Sequence, residues 1–180
     1  GGATTDNLTG AVTQTGVINT GTLIGNTAGD VTLLGANTIT NLGAFTSTGT
    51  GGFSLSDLGG LTVSGNVNNT SGAVSIVTAV SSLTISADIT ATSQSLTLTG
   101  VGINQTTGTI LAAGLTVNAG AGSIALNQAN NNFTGAVSLN NTGPNSVAIT
   151  DANALDFGSS TLGSGSLTVT AVGITQSGAI

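Results

Sequence analysis

An apolar-polar-apolar triplet returns along this chain at nearly constant spacing. Val31-Thr32-Leu33, Phe53-Ser54-Leu55, Val74-Ser75-Ile76, Leu96-Thr97-Leu98, Leu115-Thr116-Val117 and Val137-Ser138-Leu139 begin 22, 21, 22, 19 and 22 residues apart. A second series, Ile18, Ile39, Leu61, Leu83, Ile103, Ile124, Val147 and Leu167, advances by 21, 22, 22, 20, 21, 23 and 20. A third, Leu23, Phe45, Val67, Ile89, Ile110, Phe133 and Leu155, advances by 22, 22, 22, 21, 23 and 22. Three interleaved series with one period mean three short strands per turn, each followed by a bend.

Successive side chains of a strand point to opposite faces, so the outer residues of each triplet face one way and the middle residue the other. With the apolar pair turned inward at the same place in every turn, the chain winds into a three-faced coil, and neighbouring coils stack in parallel about 4.8 Å apart. One coil cannot bury its apolar side, whereas stacked coils share a continuous core. The sequence therefore predicts an all-β parallel β-helix, a three-faced solenoid of about eight coils and on the order of 40 Å long, with residues 1–180 as a single segment. Its expected core is Leu23, Val31, Leu33, Ile39, Phe45, Phe53, Leu55, Leu61, Val67, Val74, Ile76, Leu83, Ile89, Leu96, Leu98, Ile103, Ile110, Leu115, Val117, Ile124, Phe133, Val137, Val147, Leu155 and Leu167. An antiparallel sandwich is the competing architecture, but its strands recur every 8–12 residues with no reason for a 22-residue period. Helix is disfavoured, since Gly and β-branched residues dominate and no stretch carries a 3.6-residue stripe.

A longer repeat lies over the short one. Leu96-Thr97-Leu98-Thr99-Gly100-Val101-Gly102-Ile103-Asn104-Gln105 returns as Leu167-Thr168-Val169-Thr170-Ala171-Val172-Gly173-Ile174-Thr175-Gln176, 71 residues later. Val12-Thr13-Gln14-Thr15-Gly16 is a fainter copy, 91 residues before Ile103-Asn104-Gln105. The two spacings differ by 20 residues, about one coil, an insertion that a stack of coils absorbs without losing register. A further match, Asp30 to Asn37 with Ser123 to Asn130, is offset by 93 and sets residues of one face series against another.

Composition narrows the chemistry. The chain has no Lys, Arg, His or Cys, and its only acidic groups are Asp6, Asp30, Asp57, Asp88, Asp151 and Asp156. General acid-base catalysis lacks most of its usual side chains, and no enzyme activity is expected. Without cations, nucleic-acid binding loses its electrostatic basis, and trypsin-like proteases find no cleavage site. No apolar run approaches the roughly 20 residues of a spanning helix, and four Phe without Tyr or Trp cannot form the aromatic girdles of a membrane barrel, so no membrane insertion is expected. Disorder goes with low hydrophobicity and high net charge, whereas this chain carries a charge of only -6 and 38% hydrophobic residues.

The stretches Leu167 to Ala179, Asn130 to Leu139 and Val147 to Leu155 carry a resemblance to secreted bacterial adhesin repeats of the filamentous haemagglutinin and autotransporter passenger type. The resemblance covers the chain from about Leu8 onward, on low-complexity motifs that mark a broad class. It implies a right-handed parallel β-helix, exported to the bacterial cell surface or medium, and often one part of a very long chain. No catalytic residue carries over from it.

Candidate sites are few. Thr32, Ser54, Ser75, Thr97, Thr116 and Ser138 predict an outward column of hydroxyls bonded along the rod, and the column beside it, Leu34, Ser56, Val77, Thr99, Asn118 and Asn140, is mixed. Two regular Thr columns would bind ice, and here the second is broken. The six Asp never cluster, so neither metal nor other cofactor is expected; Asp30, Asp57 and Asp151 read as bend residues bonding nearby backbone N–H groups. Asp151 and Asp156 come nearest to a carboxylate pair, yet have no acid, base or oxyanion partner. Sequons at Asn7, Asn68, Asn69, Asn104, Asn132 and Asn140 follow from the abundance of Asn and Thr, and no glycosylation is inferred from them. Asn66, Asn68, Asn69, Asn130, Asn131, Asn132, Asn140 and Asn141 fall at bends and predict amide ladders between coils.

Neither Gly1 to Asp6 nor Ile174 to Ile180 reads as a cap, although an open coil exposes unpaired backbone groups and apolar core. The expected partner is therefore the chain itself, by end-to-end stacking or by covalent continuation, with cell-surface glycans or matrix components as further candidates. The expected function is a structural extracellular fibre or adhesin segment, and the alternative is an ice-binding or glycan-binding module using a flat Ser/Thr face.

Overall fold

The computed structural model describes residues 7–180, so Gly1 to Asp6, including Asp6 and the expected uncapped start, lie outside the described residues. Nineteen strands and no helix occur among those described, and every paired strand runs parallel to its neighbour in the next coil. The local reason is visible in two five-residue strands. Phe53–Asp57 and Val74–Thr78 alternate buried and half-buried residues, which turns Phe53 and Leu55, or Val74 and Ile76, inward and Ser or Val outward. About eight turns result, and the protein is an all-β solenoid.

Three faces run the length of the stack. On face 1, Val12, Val31, Phe53, Val74, Leu96, Leu115, Val137 and Phe157 are partners in consecutive coils. On face 2 the same holds for Leu61, Leu83, Ile103, Ile124, Val147 and Leu167. Face 3 aligns Phe45, Val67, Ile89 and Ile110. The long strand Val31–Ser47 passes through all three faces of one coil without interruption.

The face assignments differ from the sequence pattern at four places. Thr20, not Ile18, pairs with Ile39, and Ile18 is only partly buried against the core. Leu23 pairs with Leu42, and Phe45 with Gly25, because a bulge between Leu23 and Gly25 shifts the register. Phe133 aligns with Ala112, not Ile110, since Leu111 pairs with Asn132. The small Ala112 leaves room where the phenyl ring enters. Leu155 belongs to the strand Ala154–Phe157, which joins face 1 through Phe157 and pairs upward with Gly173–Gln176, so it does not continue the series through Phe133.

Of the expected core, all but one of the side chains are buried, and Phe53, Leu55, Ile76, Leu83, Ile89, Leu96, Leu98 and Ile103 are fully so. The correction is Leu167, 38% exposed. It lies in the last described coil, where Val147 covers it from below and no strand pairs above it. Val63, Ile85, Leu126, Leu139, Ile149 and Phe157 join the core as the second inward residue of their strands, and Leu42 joins it from the long strand Val31–Ser47. The rings of Phe45 and Phe53 meet with centroids 5.0 Å apart at 59°, a tilted contact between faces 3 and 1.

Candidate functional site

The middle residues of face 1 form the most regular outward feature. Thr13, Thr32, Ser54, Ser75, Thr97, Thr116 and Ser138 are register partners in seven consecutive coils. Among the described residues none of these hydroxyls hydrogen-bonds to another, contrary to the ladder expected. Hydroxyls held in register on a straight strand stand about 4.8 Å apart, beyond the 2.7–2.8 Å of an O–H···O bond, and coil-to-coil hydroxyl pairs form at bends instead, Ser86 with Thr106 at 2.9 Å and Ser166 with Ser146 at 3.0 Å. Longer amides reach across a rung. Asn140 Nδ2 donates to Asn118 Oδ1 at 3.1 Å, and Asn153 Nδ2 to Asn132 Oδ1 at 2.9 Å. The column beside the hydroxyls stays mixed, and its Leu34 projects 60% exposed.

The Asp residues act locally. Asp57, buried inside the corner between faces 1 and 2, accepts Ile39 N at 2.6 Å and Gly59 N at 2.8 Å. Asp151, also buried, accepts Phe133 N and Asn153 N on Oδ1, each at 3.2 Å, while its Oδ2 has no partner. Asp30 accepts Gly51 N, Asp88 accepts Thr109 N, and Asp156 accepts the Thr175 and Ser177 hydroxyls from the coil above. Asp151 thus serves backbone N–H groups and Asp156 the hydroxyls of the coil above, and the two form no pair. Among the described residues no group of three or more acidic side chains could hold a metal ion. A cavity of about 410 Å³ opens beside the first described strands, with Val12, Gln14, Ile18, Leu23, Leu33 and Phe45 in its lining and no titratable side chain among the described residues there.

Of the amides expected in ladders at bends, Asn69, Asn131 and Asn141 turn into inside corners; the corner residue Asn37 and the partners Gln14 and Gln105 were not among the sequence candidates. Asn131 is fully buried and all its amide capacity is used. Its Oδ1 accepts Gln105 Nε2 and Ile110 N, both at 2.9 Å, and its Nδ2 donates to Gln105 Oε1 at 2.7 Å and Leu126 O at 3.4 Å. The same reciprocal pair joins Gln14 to the fully buried Asn37 at another corner, where Asn37 also accepts Ile18 N and donates to Ser56 O. Asn69 bonds Ser47 Oγ at 2.7 Å in the third corner. The signal was present: Gln14, Gln105 and Gln176 hold the same place in the three copies of the long repeat. Replacing Asn131 by Ala strands the Gln105 amide inside the fold, and a loss of about 1–3 kcal/mol in denaturant unfolding is expected, with the spectroscopic signature of the folded state unchanged.

The long repeat does not stack on itself. Leu96 lies on face 1, and its copy Leu167 on face 2. Val12 is on face 1, Ile103 on face 2, and Ile174 on the strand that pairs with Leu155. The 71-residue step therefore spans three coils and one further face, and the 91-residue step four coils and one further face, so each copy is turned to the next side of the rod. The match of Asp30 to Asn37 with Ser123 to Asn130 has the same cause, since Val31 is on face 1 and Ile124 on face 2.

Parallel coils in register, a shared apolar core and polar corner pairs define a β-solenoid repeat protein. The chain belongs to the family of repeats of unknown function (DUF5649), whose model matches residues 71–140 and 144–180, more than half of its length. The two matches begin three residues before Val74 on face 1 and Val147 on face 2. No curated protein and no solved structure matches the chain.

Proposed function

We propose that the chain is a structural segment of an extracellular bacterial fibre or adhesin, a rod that displays its surface and extends by stacking coil on coil. The observation that carries this reading is the unbroken ladder on face 2, still in register in the last described coil. Parallel coils that keep one register through the described residues are a template that any further coil of the same pattern extends. Leu34, Leu58, Val80 and Val101, all exposed at successive turns near the corner between faces 1 and 2, add a row for lateral contact. The resemblance to adhesin repeats supports the cell-surface setting.

Negative-stain and cryo-electron microscopy of the purified chain test the reading. Rods longer than one molecule, with a spacing near 4.8 Å along the axis, are expected. Discrete particles about 40 Å long that never meet end to end would refute stacking. The hydroxyl column of seven coils favours a second reading, an ice-binding or glycan-binding face. Shaping of ice crystals by the chain would put that reading first.

A further inference from the structure

The exposed apolar side chains along the body of the rod are gathered at one corner. Between residues 9 and 166 the large ones are Val17, Leu34, Leu58, Val80 and Val101, exposed by 46 to 73%. Each lies in or beside the bend that joins face 1 to face 2 in its own coil. In the next two coils the same bend carries the exposed Ala121 and Pro144. The other corners present polar groups, Ser64, Asn66 and Thr107 between faces 2 and 3, and Thr48, Thr70 and Thr92 between faces 3 and 1. Single exposed apolar side chains are ordinary on a protein surface, whereas a contiguous row marks a contact.

Charge is kept off this corner. Asp30 and Asp156 immediately precede Val31 and Phe157, on the other side of face 1, and Asp88 stands between faces 2 and 3. Asp151 is buried. Asp57 does lie at the ridge corner, but it is turned inside, where Ile39 N and Gly59 N hold its oxygens. With a formal charge of -6 and no Lys, Arg or His, two copies of this chain can form no ion pair between side chains, and their carboxylates repel. The ridge is the side on which a copy meets least repulsion and most apolar contact. It also has a period, one apolar group about every 4.8 Å, which another rod of this kind matches rung for rung.

We propose that the corner between faces 1 and 2 binds a second copy of the chain side by side, ridge against ridge about a two-fold axis, and that like charge on the other sides limits how tightly the pair holds. This rests on the structural-rod reading above and adds lateral pairing to it. From Val17 to Pro144 the ridge runs roughly 30 Å and is one side chain wide, so the pair buries well under the about 1,200 Å² of a stable complex and exchanges readily. Salt screens the repulsion. Acid removes it: every ionisable side chain is Asp, so the surface is discharged and no positive side chain takes the charge over.

Sedimentation equilibrium and a single spin label test the pairing. Because the chain has no Cys, Ser82→Cys places one label in the exposed bend beside Val80. Ridge pairs bring two labels within about 30 Å, whereas molecules stacked end to end hold them about 40 Å apart along the axis. A monomer–dimer equilibrium is expected whose dissociation constant falls about tenfold or more between about 10 mM and 0.5 M salt. A similar fall is expected at pH 3, read while the circular dichroism remains that of the folded rod. Asp30→Asn, Asp88→Asn and Asp156→Asn together make the same test at pH 7 without acid. Leu58→Ser, Val80→Ser and Val101→Ser together leave the charge unchanged and are expected to weaken the pair by about tenfold or more. A chain that stays monomeric at about 1 mM in high salt would overturn the proposal. So would dimers that the three Ser substitutions leave intact, with labels about 40 Å apart, and that outcome keeps stacking while removing the pair. Short label distances without stacked rods would keep the pair and remove the stack.

Discussion

Phe53→Ala should lower stability by about 3–5 kcal/mol, the range for removing a fully buried ring that leaves an uncollapsed cavity. The side chain has no exposed surface, sits between Val31 and Val74 on face 1, and touches the ring of Phe45 across the core. In a chain this long the midpoint of thermal unfolding should fall by roughly 6–20 °C. A solenoid has little means of filling the hole, because each coil is tied by backbone bonds to the coils on either side. A loss below about 1 kcal/mol in equilibrium denaturation would mean that the stack collapses around the gap, against the tight register seen here.

Gly52→Ala should be comparably damaging for a different reason. Gly52 has φ of +95°, and a Cβ there would stand 2.0 Å from the carbonyl oxygen of Ala73. That oxygen accepts Phe53 N, and Gly52's own carbonyl accepts Val31 N, so the backbone on either side is already committed to the coils above and below. The left-handed conformation costs an Ala about 1–2 kcal/mol. Disturbing a buried backbone bond adds about 1–3, for a total of roughly 2–5 kcal/mol. Denaturant titration of the variant against Gly16→Ala, where no atom lies within 4 Å of the added carbon, separates this steric effect from any general intolerance of the chain.

Both arguments depend on a register that the sequence shows well on faces 1 and 2 and less well on face 3. The triplets from Val31 to Val137 and the series from Leu61 to Leu167 are strict because their strands alternate with period 2 and their bends are short. Face 3 follows bends of changing length, so the position of Phe133 could not be told from spacing: two inward residues, Ala112 and Ile110, were equally compatible with it. The exposure of Leu167 escapes any periodic reading for the same kind of reason. Its sequence is that of a core strand, and only its place in the stack leaves it uncovered. The sequence places Asn131 in a ladder at a bend but hides its partner, because Asn and Gln are abundant at every bend and the pairs Gln14–Asn37 and Gln105–Asn131 lie 23 and 26 residues apart, beyond one period. The offset of 93, which set two face series against each other, was the one sequence-level trace of the turning repeat.

The stacking of coils also sets how length is held in the molecule. Each coil adds about 4.8 Å to the rod, yet its roughly 21 residues would span about 70 Å if drawn out. The hydrogen bonds between coils run along the axis and are lost one rung at a time from an end, so tension applied to the two ends peels the rod instead of shearing it. A chain built this way behaves as a reel: short and stiff while wound, and able to release some fifteen times its wound length in coil-sized steps.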